Sequence, residues 1–297
     1  MWGDGLQQRD TCSEGRLMTT KVMPTDIWLA FLLVLLLAST SAAQQAAAPA
    51  LQGNVVDGMG LPGQMWTTAG NLSPVEHSNG YVQSYVEQDA AILASQSGSI
   101  SLTPYVALGL VLDTKGYDWN NQIQPQAGLK LNKFFRNGVV SLGSAYTYQD
   151  RFSSLQSSGL VLYVQDWFGW QSVAEKANRF PGSSWASWGN ISPVEQGNWI
   201  GQAHVSQGVV AKRWGRTALV PYMEATFSHD SKGFDWDNKG LYGSGVKLAY
   251  PHGQAYTEFG IGYLHETRFY SGQSAGTLSV FMNFWYGWNL LGRKAGM

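Results

Sequence analysis

The chain has one cysteine in 297 residues, Cys12, and it lies ahead of an apolar run near the start. Disulfide scaffolds, thiol nucleophiles and cysteine-ligated metals are thereby excluded from everything that follows it. Charge is scarce as well. Asp, Glu, Lys and Arg make up 13% of the residues, against roughly 25% in ordinary soluble domains. Bases and acids nearly cancel, 19 against 20, so no basic surface suits nucleic acid. Beyond residue 43 no apolar run reaches the roughly 20 residues that a membrane helix needs. What is present instead is aromatic and small: 13 Trp, 14 Tyr and 35 Gly. Few charges, many Trp and Tyr, many Gly and no helical span together predict a membrane β-barrel.

The start of the chain reads separately. From Met18 a single Lys21 precedes an apolar run, Ile27 to Ala38, followed by Ser41-Ala42-Ala43. That order is the pattern of a cleaved secretory signal. The expected organisation is a leader over 1–43, with 18–43 its working part, and a periplasmic segment over 44–62. A barrel over 63–288 and a tail over 289–297 follow. Removing residues 1–43 takes away three bases and four acids, leaving sixteen of each and a net charge of zero.

Motifs recur along the rest of the chain at one spacing. "GNLSPVE" from Gly70 returns as "GNISPVE" from Gly189, and Pro104-Tyr105 as Pro221-Tyr222. "KGYDWN" from Lys115 returns as "KGFDWD" from Lys232, and "YTYQDRF" from Tyr146 as "YLHETRF" from Tyr263. "WFGW" from Trp167 returns as "WYGW" from Trp285. All offsets lie between 117 and 119. A tandem duplication is the expectation, with repeat one over 63–171 and repeat two over 183–288.

Within a unit the period is two. Leu102, Pro104, Val106, Leu108, Leu110 and Leu112 fall on one face, and Thr103, Tyr105, Ala107 and Gly109 on the other. One face is apolar and ends in aromatics; the other is small and polar, as in a lipid-facing barrel strand. Six strands per unit are expected, at about 63–71, 79–91, 99–112, 123–134, 138–150 and 158–170. The predicted fold class is therefore all-β, a transmembrane antiparallel up-and-down barrel of about twelve strands. Tight turns at Phe134–Val139 and Ala249–Gln254 mark the periplasmic side. The S-P-V-E, K-G-[YF]-D-W and [DT]-R-F loops then face outward. The long link from Gln171 to Pro181 falls on the periplasmic side, where short turns are the rule.

Alternation points Tyr105, Lys130, Trp167, Tyr222, Glu224, Lys247, Glu258 and Trp285 into the lumen, with Lys247 and Glu258 on neighbouring strands. The outer loops offer Asp113, Tyr117, Asp118 and Trp119 in unit one, and Asp230, Phe234, Asp235, Trp236 and Asp237 in unit two. Carboxylates interleaved with aromatic rings suit sugars, whose apolar faces stack on rings while acids bind the hydroxyls. Asp235 and Asp237 also supply the oxygen ligands that Ca²⁺ takes, but the string lacks the full spacing of a calcium loop. No metal and no cofactor is expected.

His77-Ser78-Asn79 has the vocabulary of a nucleophile and its base. Outer-membrane phospholipases and lipid A deacylases carry His-x-Ser-Asn, whose residues two apart share a strand face. Here His77 and Ser78 are adjacent, and the second copy has Gln196 and Gly197 in their place. Catalysis is not expected.

The chain resembles the barrel domains of outer-membrane proteins tied to exopolysaccharide secretion, of the NfrA, PgaA and YaiO kind. The likeness rests on the Gly-Leu-Lys-Leu strand at Gly128, the Tyr146–Phe152 strand ending Asp-Arg-Phe, and the Trp-rich closing strand at Trp167. No helical-repeat domain accompanies it, and the last strand stops short of the C-terminus. The lumen aromatics and the duplicated Asp/Trp loops lead to the expectation of a porin-like conduit or surface-binding barrel for glycan. The alternatives are an outer-membrane lipid hydrolase, or a structural barrel or assembly partner without transport. The resemblance implies a Gram-negative outer-membrane barrel in contact with outer-membrane lipid. It transfers no functional residue.

Overall fold

The computed structural model describes residues 61–290 apart from 96, 153, 154 and 175. The expected leader over 1–43, most of the 44–62 segment and most of the tail fall outside them. Fourteen strands make up the described chain: β1 (Pro62–Gly70), β2 (Tyr81–Asp89), β3 (Leu93–Ala94), β4 (Ile100–Asp113), β5 (Gln122–Phe135), β6 (Gly138–Arg151), β7 (Gln156–Trp170), β8 (Gly182–Gly189), β9 (Ile200–Gly208), β10 (Lys212–Trp214), β11 (Thr217–Asp230), β12 (Lys239–His252), β13 (Ala255–Arg268) and β14 (Ser274–Asn289). Every pairing is antiparallel, and β14 pairs with β1 to close the sheet on itself. β3 and β10 are short continuations of β2 and β9, so the barrel has twelve staves. Closure leaves no open edge, which a sheet inside lipid requires. Among the described residues no helix is long and apolar enough to cross a membrane, and the only helical piece noted is a 3₁₀ turn at Pro193–Glu195.

The expected strand over 79–91 is β2, Tyr81–Asp89, and a bulge interrupts the ladder just past its end. Asp89 pairs with Tyr105, but Leu93 pairs with Leu102, so β2 and β3 carry one extra residue between them. Pro104 sits opposite that bulge. It has no N–H for the ladder, and its carbonyl accepts from Ala90 N at 2.9 Å. The same happens around Pro221: Gly208 pairs with Tyr222, Lys212 with Leu219, and Val209 N reaches the Pro221 carbonyl at 2.9 Å. The recurrent Pro-Tyr pair is thus a bulge site, with the following tyrosine turned inward.

The recurrent Gly-Asn is where a short stave leaves the sheet. β1 and β8 stop at Gly70 and Gly189 while their neighbours β14 and β7 continue. A Cβ at Gly70 would lie 2.6 Å from the Val280 carbonyl oxygen, and one at Gly189 2.4 Å from that of Leu162, so only glycine fits. The next residue extends the ladder with its side chain. Asn71 Nδ2 donates to the Leu278 carbonyl at 2.7 Å, and its Oδ1 accepts from Val280 N at 2.8 Å. Asn190 accepts from Leu162 N at 2.6 Å and donates to the Leu160 carbonyl at 3.2 Å. An amide side chain carries the donor and acceptor of one backbone rung.

The outward face is an aliphatic band. Val106, Leu142, Leu160 and Leu278 are exposed by 58–64%. Aromatics are set into and beside it: Tyr146 lies opposite Leu160, Tyr263 opposite Leu278 and Trp188 opposite Val164, with Tyr148 and Tyr242 nearer the loops and Phe135, Trp214, Tyr250 and Tyr286 nearer the turns. An outward face so rich in aliphatic and aromatic side chains is what a lipid-facing barrel presents. The Gln171–Pro181 link does not hang free below the barrel. Val173 is buried against the inward-facing Ala218, Val220 and Ala249, and Arg213 holds the link by donating to the Val173 and Asn178 carbonyls at 2.6 and 2.9 Å.

Candidate functional site

The lumen is lined by aromatic and charged side chains. Trp66 stacks on Tyr85 at 6.0 Å and Trp185 on His204 at 5.7 Å. Trp285 lies across from Trp66, and Trp167 across from Trp185, so all four indoles share the inward face. Two bases share this inward face, Lys130 buried and Lys247 half-buried. Lys130 is 4% exposed, and its Nζ lies 2.8 Å from Glu87 and 2.9 Å from Asp89. It also lies over the Tyr105 ring at 5.1 Å, while Tyr163 donates to the Tyr105 hydroxyl at 2.9 Å. Lys247 lies 2.7 Å from Glu258 and over the Tyr222 ring at 5.3 Å; Tyr256 donates to Glu258 at 2.6 Å. Glu224 shares this face and feels the Lys247 and Glu258 charges. The eight lumen residues named from alternation all point inward. Alternation could not supply Glu87 and Asp89 as partners of Lys130, because they sit on β2, two staves from β5, beside a bulge.

At the loop end the motif loops fold inward onto each other's halves. In the first S-P-V-E loop Glu76 meets Arg268 of β13, with Arg268 Nη2 3.0 Å from Oε1. Ser73 Oγ donates to Glu266 at 2.6 Å. In the second loop Glu195 meets Arg151 of β6, and Ser192 Oγ donates to Gln149 at 2.9 Å. Each loop is therefore pinned to the [DT]-R-F strand of the other half. Burial alone would raise the Glu76 carboxyl. Hydrogen bonds from Tyr81 and Asn79, then the charges of Lys239 and Arg268, hold it below its ordinary value.

The K-G-[YF]-D-W loops meet in the middle of the mouth. Tyr117 stacks on Trp119 at 4.8 Å, Trp119 on Trp236 at 5.3 Å, and Trp236 on Phe234 at 4.8 Å, with ring planes within 14° throughout. The result is a four-ring column shared by the two loops. The acids nearby brace the same loops. Asp113 accepts from Tyr117 N at 3.0 Å and from Asn121 at 2.7 Å. Asp230 accepts from Gly233 N at 2.7 Å and Phe234 N at 3.0 Å. Asp235 accepts from the Ser271 backbone and hydroxyl at 2.8 and 2.9 Å. Asp118 is engaged too. Asp237 is the exception: burial and then the Glu195 and Asp230 charges push its carboxyl up to about 7. In the sequence these acids and rings looked like ligands for a sugar; in the fold most of them first hold the mouth.

His77 and Ser78 are both exposed, and no hydrogen bond joins their side chains among the described residues. Ser78 has φ +58°, and its counterpart Gly197 has φ +73°. The position demands a left-handed backbone, which glycine adopts freely and serine does at a cost of about 1 kcal/mol. Ser78→Gly should therefore raise stability by about 0.5–1 kcal/mol. Urea unfolding in detergent micelles reads this directly, and a loss of stability would contradict the conformational account.

The fold and interior define a class: a closed twelve-stave barrel with an apolar outer band and a charged, aromatic lumen. No protein-family model matches the chain, and no curated protein does. Among solved structures it is similar to the KdgM porin (7% identity, 75% of this chain and 98% of that one, TM-score 0.36). It is also similar to the outer-membrane channel DcaP of Acinetobacter baumannii (8%, 77% and 96%, TM-score 0.33). A third is the β domain of the Bordetella autotransporter BrkA (12%, 78% and 100%, TM-score 0.37). Similarity at this level carries no statement about activity.

Proposed function

We propose that this chain is a bacterial outer-membrane barrel, exported by a cleaved signal, and a porin-like conduit held shut at rest. Small polar solutes, glycan fragments among them, are its cargo. The observation that carries this reading is the four-ring column across a mouth whose two S-P-V-E loops are each pinned by one arginine. A polar lumen behind a closable mouth suits a gated path better than a wide pore. The two halves, with their recurring bulges, caps and clamps, are read as products of a tandem duplication. Each lumen base faces two carboxylates, Lys130 with Glu87 and Asp89 and Lys247 with Glu258 and Glu224. The open path is therefore expected to prefer cations.

Planar-bilayer recordings test this. The unaltered chain should conduct rarely. A Trp119→Ala, Trp236→Ala double variant should open frequently, prefer K⁺ over Cl⁻, and be blocked transiently by oligosaccharide. A double variant that inserts and stays silent would sink the conduit reading. Recovery of the native protein in the soluble fraction of cells would sink the membrane reading itself.

A further inference from the structure

The chain is nearly neutral, with 19 bases and 20 acids, yet its two ends are not. The segments joining strands at the loop end carry Glu76, Asp118, Glu195, Asp235 and Asp237 against Lys115 and Lys232. At the turn end the order reverses. Lys133, Arg136, Lys176, Arg179, Lys212 and Arg216 are all exposed there, and the joining segments hold a single acid in sequence, Glu175.

Two of these bases sit on the outer face of the sheet rather than in turns. Lys130 points inward on β5, so Lys133 and Phe135 point outward, next to each other on that face. On β10, Arg213 turns inward to hold the 171–181 link, so Lys212 and Trp214 point outward. The Lys212 Nζ lies 5.1 Å above the Trp214 ring. Phe135 and Trp214 are 44% and 49% exposed and border the aliphatic band. A Lys-x-aromatic pair thus stands at the boundary of the band on two separate staves, with further cations behind it in the turns. Aromatic rings settle at the level of lipid headgroups, and Lys and Arg at that depth are drawn to anionic ones.

From this arrangement we infer that the turn end is a collar that seats the phosphates of anionic phospholipids in the adjoining leaflet. The inference rests on the membrane reading above. A soluble anionic polymer would engage the turns, but it has no use for bases placed beside rings on the lipid-facing side of the sheet.

The experiment uses the full chain in vesicles of phosphatidylcholine alone and of phosphatidylcholine with phosphatidylglycerol. Lipid retained after mild detergent extraction is measured by native mass spectrometry. Phosphatidylglycerol should be retained roughly tenfold over its share of the mixture, less so in 0.5 M salt. A Lys133→Gln, Lys212→Gln, Arg216→Gln variant should lose that enrichment, and Lys133→Arg, Lys212→Arg should keep it. A heat-modifiability gel confirms that each variant is folded. Equal retention of both lipids overturns the collar, as does enrichment unchanged in the triple glutamine variant. Inorganic phosphate displacing the lipid at millimolar concentration also overturns it, since the site would then take phosphate without an acyl chain. Insertion into pure phosphatidylcholine reports on the barrel alone: insertion without anionic preference removes only the collar, and failure to insert in either vesicle removes the membrane reading.

Discussion

Arg268→Ala is expected to destabilise the barrel by about 3–5 kcal/mol, the usual loss when one partner of a buried ion pair is removed. Arg268 is 8% exposed. Its guanidinium lies 3.0 Å from Glu76, 3.1 Å from Glu266 and 3.7 Å from Asp235. Alanine would leave these carboxylates facing one another with only Lys239, 4.0 Å from Glu266, to offset them. The first S-P-V-E loop should come free at the same time, since Glu76 would lose its anchor. Arg151→Ala should cost less. Arg151 holds Glu195, but the residue matching Glu266 on its strand is the neutral Gln149, so fewer buried carboxylates are stranded. Glu266→Gln in the Arg268→Ala background copies that neutral arrangement and should recover part of the loss. Urea midpoints in micelles and amide exchange over residues 71–80 read both effects. An Arg268→Ala variant within 1 kcal/mol of the unaltered chain would show that the clamp is a surface-type pair worth little.

Much of this was legible from alternation and repetition. The strands around Tyr105, Lys130, Lys247 and Glu258 lie where period two put them, to within one or two residues for most, because a barrel wall has only two faces and each strand must serve both. The recurrent Pro-Tyr, Gly-Asn and Asp-Arg-Phe pieces were visible as strings but not as functions. Pro104 marks a bulge only once β2 is known to lie beside it, and Asn71 completes a rung only beside β14, more than 200 positions away in the chain. The exchange of Glu76 and Glu195 between halves was not legible at all. It depends on how the closed sheet brings β13 next to the loop after β1, and no local pattern encodes that closure. The Asp-Trp loops show the same limit. Acids and rings side by side suit a sugar, but the nearest ring to Trp119 outside its own loop is Trp236, and the two were 117 residues apart on paper.

Asp237→Asn is expected to remove a pH dependence that the barrel otherwise carries at its mouth. The matching residue in the first half is Asn120, whose amide donates to Asp113 at 3.0 Å, to the Tyr81 hydroxyl at 3.2 Å and to Glu76 at 3.3 Å. That amide supplies protons between two carboxylates. In the second half the same place holds a third acid, set among Glu195 and Asp230, with Lys239 and Arg151 as the opposing charges. Asp237 can act as Asn120 does only while it keeps its proton, and its carboxyl is pushed up to about 7 from an ordinary value of 3.8. Between those two values the folded chain holds a proton that the unfolded chain has released. Stability therefore falls as pH rises from roughly 4 to 7, and the full loss persists above that. Discounting for the partial exposure of the group, the loss is on the order of 2 kcal/mol. Asn at position 237 should flatten this slope and raise stability at pH 8 by a similar amount. Asn120→Asp should do the reverse and give the first half a slope of its own. The stacked Trp119 and Trp236 offer a local readout, since their near-ultraviolet exciton signal should fade above pH 7 in the unaltered chain and persist in Asp237→Asn. If the unfolding midpoint of the unaltered chain is level between pH 5 and 8, the proton at Asp237 has no part in closing the mouth.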